Sequence, residues 1–509
     1  MEYLVTAEEA RNIDKYTIEN ADVPSLVLME RAALAVAENA AALAEEAFGP
    51  GARETARVIS VCGSGNNGGD GIAAARILFI RGWNSCIYLA GDAEKMSEDC
   101  RKQFEIAQNM KVPVLESYEA GRGDVLIDAV FGTGLTRDIG GKYAAEIEKI
   151  NHARESGARI CAVDMPSGVH TDTGRVMGNA VKADVTVTFG YRKTGQIFYP
   201  GASLCGRTVC AEIGFSPEAS EKAGLKFMTY RDEDISRIPE RRPDSHKGSC
   251  GKVLVIAGSK NMAGAAYLSA KAAYRTGCGL VTVYTPESNR VILQELVPEA
   301  VMKTYEDGGS DFTGLETLIA EVSAVVLGPG LGTSLTSREL VKKVLLISTG
   351  KIIIDADALN IISEDTGILS DCRAEIAVTP HKKELSRLTG IPVSELDSDL
   401  PGTCEEFSRK YNVILAAKDA RTLVTDAGGA VYINSSGNSG MSTGGSGDVL
   451  TGIIAGLAAM GADLPEAVRL GVFIHGKVGD AAARRLGEYS MTSGDILDAL
   501  PEVFSLRRN

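Results

Sequence analysis

Short β-branched runs that end in a turn and feed a helical stretch recur along most of the chain, and this alternation constrains the fold more than any other feature. The first series reads RVISVCG, CIYLAG, DVLIDAVFG, ARICAVDMP and ADVTVTFG; the second reads GKVLVIAGS, GLVTVYTP, SAVVLGPG, KIIIDAD, AEIAVTP and NVILAA. Helical stretches such as GIAAARILFIRG and KYAAEIEKINHARESG separate the runs. Strands alternating with helices imply a mostly parallel sheet, covered on both faces and joined by right-handed crossovers. The expected fold class is therefore α/β in both halves. Residues near 6 to 47 read as helix, with Thr6 and Glu9 spaced as a capping box. Two apolar helices, DVLTGIIAGLAAMG and AVRLGVFIHGKVGDAAARRLG, close the second half.

The alternation breaks over residues 216–250, where SPEASEKAG and RDEDISRIPERRPDSHKGS are polar, charged and proline-containing. A single core rarely serves 509 residues, so two domains are expected, at 1–220 and 221–509. Hydrophobic residues at 44% supply ample core. A formal net charge of -14 argues against sequence-independent nucleic-acid binding, which needs Lys and Arg against phosphate. The ten cysteines form no CxxC pair, which fits free thiols in a reducing compartment. The N-terminus has no signal-peptide pattern, and no apolar window is long enough to span a bilayer. The expectation is a cytoplasmic protein that acts on small molecules, without nucleic-acid or membrane partners, as a homo-oligomer.

Two glycine loops carry the chemistry. CGSGNNGGDG follows the first strand and opens a helix, so Gly63, Gly65 and Gly68 satisfy GxGxxG in its strand–loop–helix setting. Asp92, at the end of the next strand, is placed like the ribose-binding acid of a dehydrogenase. Asn66, Asn67 and Asp70 lie outside that fingerprint and point instead to a site that orients a substrate and holds a metal ion. Asp128 and Asp164 end later strands and Ser167 follows, either converging on that loop or acting as turn and cap residues. In the second half, NSSGNSGMSTGGSGDVLTG offers Gly444, Gly445 and Gly447 as an anion nest at a helix start. Asp448 in the first turn is a helix cap or the base for a hydroxyl that attacks a phosphoryl group. No Walker lysine follows, so a P-loop is excluded. His381 is a ligand contact or a polar loop residue, and Asp355 and Asp357 position Mg²⁺ or cap the next helix.

The ordered strings PSLVLMERAA, GSGNNGGDG, DAVFGTGLTRDIGG, DMPSGVHTDTG, ADVTVTFGYRKTG and YPGASLCG make residues 6–215 resemble the NAD(P)H-hydrate epimerase family, the YjeF N-terminal domain. That resemblance implies a Rossmann-like three-layer domain. It implies that Asn66, Asn67, Gly68, Gly69 and Asp70 contact the hydrated dinucleotide, as do Gly132, Thr133, Gly134, Leu135, Thr136, Arg137 and Asp138. Asp164 would touch it as acid/base, and Asn67, Asp128 and Ser167 would ligate K⁺. Ala33 departs from the glycine usual after MERA, which bears on helix packing.

The strings SHKGSCGKVLVIAGS, AGAAYLSAKAAYRTGCGLVTV, VVLGPGLG, IIIDADALN, TPHKKELSRLTG and GNSGMSTGGSGDVLTG make residues 244–500 resemble the ribokinase-like ADP/ATP-dependent NAD(P)H-hydrate dehydratases. By that resemblance Ala265, Gly330, His381 and Asp448 face the hydrate, with Asp448 catalytic. ADP would be held by Lys418, Asp419, Ala420, Arg421 and Thr422, and by Asn438, Ser439, Gly440, Met441, Ser442, Thr443, Gly444, Gly445, Ser446 and Gly447. Mg²⁺ would bridge the nucleotide phosphates. Asp419 stands where the family usually has glycine, which bears on nucleotide preference. Together the halves imply a bifunctional isomerase and lyase that repairs NADH and NADPH hydrates. The alternative is a vitamin or sugar kinase of the same superfamily with a non-catalytic N-terminal module.

Overall fold

The computed structural model describes residues 1–508. They fall into two compact units, residues 3–227 and residues from 228 onward, with Met1 and Glu2 grouped with the second. The division at 227–228 lies within the polar stretch that interrupts the alternation.

In the first unit, strands β1 (Arg57–Cys62), β2 (Asn84–Leu89), β3 (Val114–Leu115), β4 (Asp124–Ala129), β5 (Arg159–Val163), β6 (Val185–Phe189) and β7 (Arg207–Ala211) form one sheet. Its order is β3-β2-β1-β4-β5-β6-β7, and every pairing is parallel. The order reverses between β1 and β4, the crevice where doubly wound sheets bind ligands. Cys62 pairs with Ala129 there, so the loops after β1 and β4 leave the sheet at the same level. The strands are buried on both faces, as β-branched runs of a covered parallel sheet require. The segment expected as one helix over 6–47 is two, α1 (Ala7–Glu19) and α2 (Ser25–Phe48). Asp22 adopts a left-handed φ of 52° and Pro24 precedes the second helix, so the chain cannot continue helically across 20–24. Thr6 and Glu9 form the expected reciprocal capping box. On α2, Ala33, Val36, Ala37 and Ala40 are buried in the core it shares with α3 (Asn66–Ile80), so Ala33 fills a packed position there.

The second unit contains β8 (Lys252–Ile256), β9 (Leu280–Pro286), β10 (Val301–Tyr305), β11 (Ala324–Leu327), β12 (Lys351–Ile354), β13 (Glu375–Val378), β14 (Ile414–Ala417), β15 (Leu423–Thr425) and β16 (Val431–Ile433). They run in the order β10-β9-β8-β11-β12-β13-β14-β15-β16, parallel as far as β14 and antiparallel beyond it. Helix α4 (Ala263–Thr276) packs on α5 (Ser446–Ala459). A Cβ on Gly456 would lie 2.7 Å from that of Thr276, so glycine lets the two backbones approach. Among the described residues no helix is long and apolar enough to cross a membrane, and no cysteine is held in a disulfide.

Candidate active sites

A cavity of about 740 Å³ opens at the β1/β4 crevice of the first unit. Its wall includes Gly63 to Asn67, Asp70, Gly132 to Leu135 and Asp164, so the loops after β1 and β4 and the acid after β5 converge as the sheet topology demands. Gly65 caps α3 without a side-chain bond, which leaves first-turn amides available to an anion. The hydroxyl of Ser97 donates to Asn66 Oδ1 at 2.6 Å. Gly68 and Gly69 turn inward, where a Cβ would strike the Gly63 carbonyl or Met29. Thr136, Arg137 and Asp138 are exposed farther along their loop and do not line the cavity. Asp92, the dehydrogenase-like acid, caps a short turn by accepting from Glu94 N at 3.1 Å and is likewise outside the lining.

Asp164 holds a left-handed φ of 63°, unfavourable for a residue with a Cβ. Its carboxylate is clasped by three donors: the ammonium of Lys193, the hydroxyl of Thr188 at 3.0 Å and the amide of Phe189 at 3.3 Å. Gln196 donates to its carbonyl at 2.8 Å. Lys193 is 2% exposed and lines the same cavity, fixed partly by parallel pairing of Lys193 with Val5. It lies inside the string YRKTG, but a single lysine in a loop carries no spacing signal, so sequence reasoning passes over it. Asp14 and Asp99 also reach the wall. Burial and the neighbouring acids raise the carboxyl of Asp14, and push that of Asp70 far above its ordinary range.

Behind this wall, the Asp128 carboxylate is fully buried. It accepts from the Ser167 hydroxyl at 2.6 Å and the Ser167 amide at 2.8 Å. No ion pair to it exists among the described residues, and burial lifts its carboxyl to about 6. A Cβ on Gly132 would lie 2.7 Å from Asn67 Oδ1, and the Asn67 side-chain nitrogen is buried without a hydrogen bond.

In the second unit, Gly330, Asp355, His381 and Lys418 all lie just beyond the carboxyl ends of parallel strands, and Asp355 and Lys418 lie beside Gly447 at the start of α5. Ala265 meets Gly330, whose backbone has φ 61°; a Cβ there would be 2.8 Å from that of Ala265. His381 is the N-cap of helix α6 (Lys382–Thr389), not a loop residue: its Nδ1 accepts from the amides of Lys383 and Glu384, each at 3.1 Å. Gly445 caps α5 with φ 89° and no side-chain bond, so the reading of Asp448 as a cap does not hold. Among the described residues nothing hydrogen-bonds to the Asp448 carboxylate. Burial, then the negative charge of Asp355, lifts it to about 7, against the opposing pull of Lys418.

Asp355 does not cap the next helix either. It is 1% exposed and pairs with Lys418 Nζ at 2.6 Å, while Thr451 of α5 donates to its other oxygen at 2.9 Å. Lys418 holds its carboxyl below the ordinary range despite burial. Asp357 accepts from the Gly332 amide at 2.8 Å. Between them Ala356 holds φ 50° and ψ -119°. Asp419 pairs with Lys382 at 2.8 Å. Asn438 donates to Asp480 at 3.0 Å and Ser439 to Glu488, two acids beside the glycine–serine loop that sequence spacing does not reveal because they lie over forty residues downstream.

Residues 25–195 match the model of the YjeF-related protein N-terminus, and residues 253–502 match that of NAD(P)H-hydrate dehydratase. A bifunctional NAD(P)H-hydrate repair enzyme Nnr of Moorella thermoacetica is 38% identical over 519 residues, covering 98% of this chain and 96% of that one. The chain belongs to the bifunctional NAD(P)H-hydrate repair enzyme family. Another member, from Thermofilum pendens, is 37% identical over 98% of this chain and 96% of its own length. A ribokinase-like superfamily protein of Enterococcus faecalis V583 superposes with TM-score 0.51 at 30% identity, covering 55% of this chain and 96% of that one. Like the family, this repair enzyme joins an NAD(P)H-hydrate epimerase to an ADP/ATP-dependent NAD(P)H-hydrate dehydratase with a ribokinase-like fold. The vitamin or sugar kinase reading, with an inert first half, is set aside by these matches.

Proposed function

We propose that Asp448 is the base of the dehydratase and that Asp164, held by Lys193, moves the proton in the epimerase. The observation that carries the reading is the Asp448 carboxylate: beside an uncapped glycine nest, without a hydrogen-bond partner among the described residues, and raised to about 7. A base with that proton affinity exchanges protons readily near neutral pH. The 6-hydroxyl oxygen of the S hydrate attacks the terminal phosphoryl group of ADP or ATP while Asp448 takes its proton and the shortened nucleotide leaves. The C6–O bond then breaks, phosphate departs, the adjacent ring carbon gives up a proton, and the ring double bond returns. Hydroxide is a poor leaving group and phosphate a good one, which is why a nucleotide is consumed. The Gly444–Gly447 nest and the 418–422 and 438–443 segments hold the nucleotide.

Mg²⁺ would enter on the nucleotide phosphates. Among the described residues no three Asp, Glu, His or Cys side chains gather as a cage, and Asp355 and Asp357 are already engaged. In the first unit, the buried and uncompensated Asp128, with Ser167 and Asn67, suits a monovalent hard cation, so these three would hold K⁺. Bound there, the ion supplies a positive charge behind the substrate loops. Asp164 then gives a proton to, or takes one from, the C6 centre as the R and S hydrates interconvert, and Lys193 fixes its direction. Ten cysteines, with no disulfide among the described residues, support a reducing, cytoplasmic setting.

The test is recovery of reduced-nicotinamide absorbance from each purified hydrate epimer with ADP or ATP and Mg²⁺. Both epimers should recover in the intact protein. Asp164→Asn should block only the R epimer and Asp448→Asn both. No recovery from either epimer in the unaltered protein overturns the reading.

A further inference from the structure

We infer that Asp355 is a positioning residue of the dehydratase, a single carboxylate that ties the nucleotide-side lysine to the helix bearing the base. The inference rests on the reading of Asp448 as that base. Asp355 is almost wholly buried, with Lys418 Nζ at 2.6 Å from one oxygen, the Thr451 hydroxyl at 2.9 Å from the other, and a further hydrogen bond from Thr379. Thr451 follows Asp448 by three residues on α5, so the two share one face of the helix. Gly447, the last residue of the nest, covers the pair: a Cβ there would lie 3.2 Å from Lys418 Nζ and 3.5 Å from Asp355 Oδ2. The ammonium therefore stands beside the backbone amides expected to take phosphate, with Asp355 behind it. Three segments that are far apart in sequence, the ends of β12 and β14 and the first turns of α5, are fixed to one another through this carboxylate.

Its charge also acts on Asp448. The other charged groups facing that acid are Lys418, beyond β14, and Asp357, in the turn after β12. Around the ion pair stand His381 and Glu384 of α6 and, from the helix Leu464–Leu486, His475. Among the described residues the packed helix α4 is not a source of charge acting on Asp448; its Ser269 hydroxyl donates to the Asp448 carbonyl at 3.0 Å. A negative neighbour makes a carboxyl harder to ionise and a positive one easier. Removing Asp355 and removing Lys418 must therefore move Asp448 in opposite directions.

The experiment measures dehydratase kcat against pH for the full chain, at saturating nucleotide and S hydrate, in Asp355→Asn, Lys418→Met and Thr451→Val. The acid limb should move down by about one pH unit in Asp355→Asn and up by about one in Lys418→Met. It should stay in place in Thr451→Val. The Asp355→Asn plateau should fall at least about tenfold, because Lys418 loses its anchor. Loss of plateau without opposite displacement of the limbs is what a merely structural role gives, and it overturns the inference. Should Asp355→Asn fail to fold, Lys418→Met and Lys418→Arg decide: an upward shift in the first alone supports the inference, and no shift overturns it. Asp448→Asn is run alongside. Turnover surviving there defeats the base assignment, whereas a dead Asp448→Asn with unmoved limbs defeats only the role of Asp355.

Discussion

Asp164 in the first unit and Asp448 in the second are both carboxylates set beside a glycine loop, but their surroundings differ. Asp164 receives Lys193, Thr188 and the Phe189 amide, and is locked in a strained backbone conformation. Asp448 receives no hydrogen bond among the described residues and is tuned at a distance, by burial and by the charges of Asp355 and Lys418. The difference matches the tasks proposed for them. Interconverting two epimers needs a carboxylate of fixed direction that can serve a substrate in either configuration. Activating a hydroxyl for attack on phosphorus needs an acid whose oxygens are free and whose proton affinity lies near the working pH.

The largest effect should come from Asp448→Asn, which should cut dehydratase turnover by about a thousandfold or more while epimerisation, followed by separating the two hydrates, continues. A smaller loss would mean that the second site does not depend on a free base. Next, Lys193→Ala should slow epimerisation by about a hundredfold. It should also destabilise the first unit by about 1–3 kcal/mol in chemical denaturation, because it takes one of three donors from a half-buried carboxylate. An unchanged unfolding midpoint would erase the contrast. Asp448→Asn should do the reverse to stability. A carboxyl raised to about 7 favours the folded state while protonated, and that contribution is lost as pH rises through about 7. The neutral variant should thus melt higher than the parent at about pH 8 and equally at about pH 4. The smallest effect concerns Asp128, whose carboxyl at about 6 follows the same sign. Potassium chloride, compared with an equal concentration of a bulky organic cation chloride, should raise the melting temperature by a few degrees at about pH 8 and not at about pH 5. The gain should vanish in Asp128→Asn.

Much of this was legible in the residues. The β-branched runs and their glycine exits give the parallel sheets, and Asn67 and Asp164 fall where a loop delivers them to the crevice, with Asp128 behind it and Asp448 in the first turn of a helix after a glycine loop. The N-terminal helix was misread as one because the apolar spacing continues on both sides of Asp22–Pro24, and only backbone conformation breaks it. Lys193, Asp480 and Glu488 were not legible, since each acquires its partner through a contact between distant segments. The roles of Asp355 and Asp357 likewise could not be separated by spacing. One oxygen of each is claimed by a group on another element, Lys418 in one case and the Gly332 amide in the other.

Ala356 sits between those two acids with a backbone that L-residues avoid. A twist of this kind swings successive side chains to opposite flanks of the turn, which is how neighbouring acids come to serve Lys418 and Gly332 separately. Glycine at 356 would relieve about 1 kcal/mol of that distortion. The same exchange would let the peptide swivel, so heat tolerance at this position should rise as the aim of Lys418 is lost, and a search for hardier variants of this enzyme would be drawn to the substitution that blunts it.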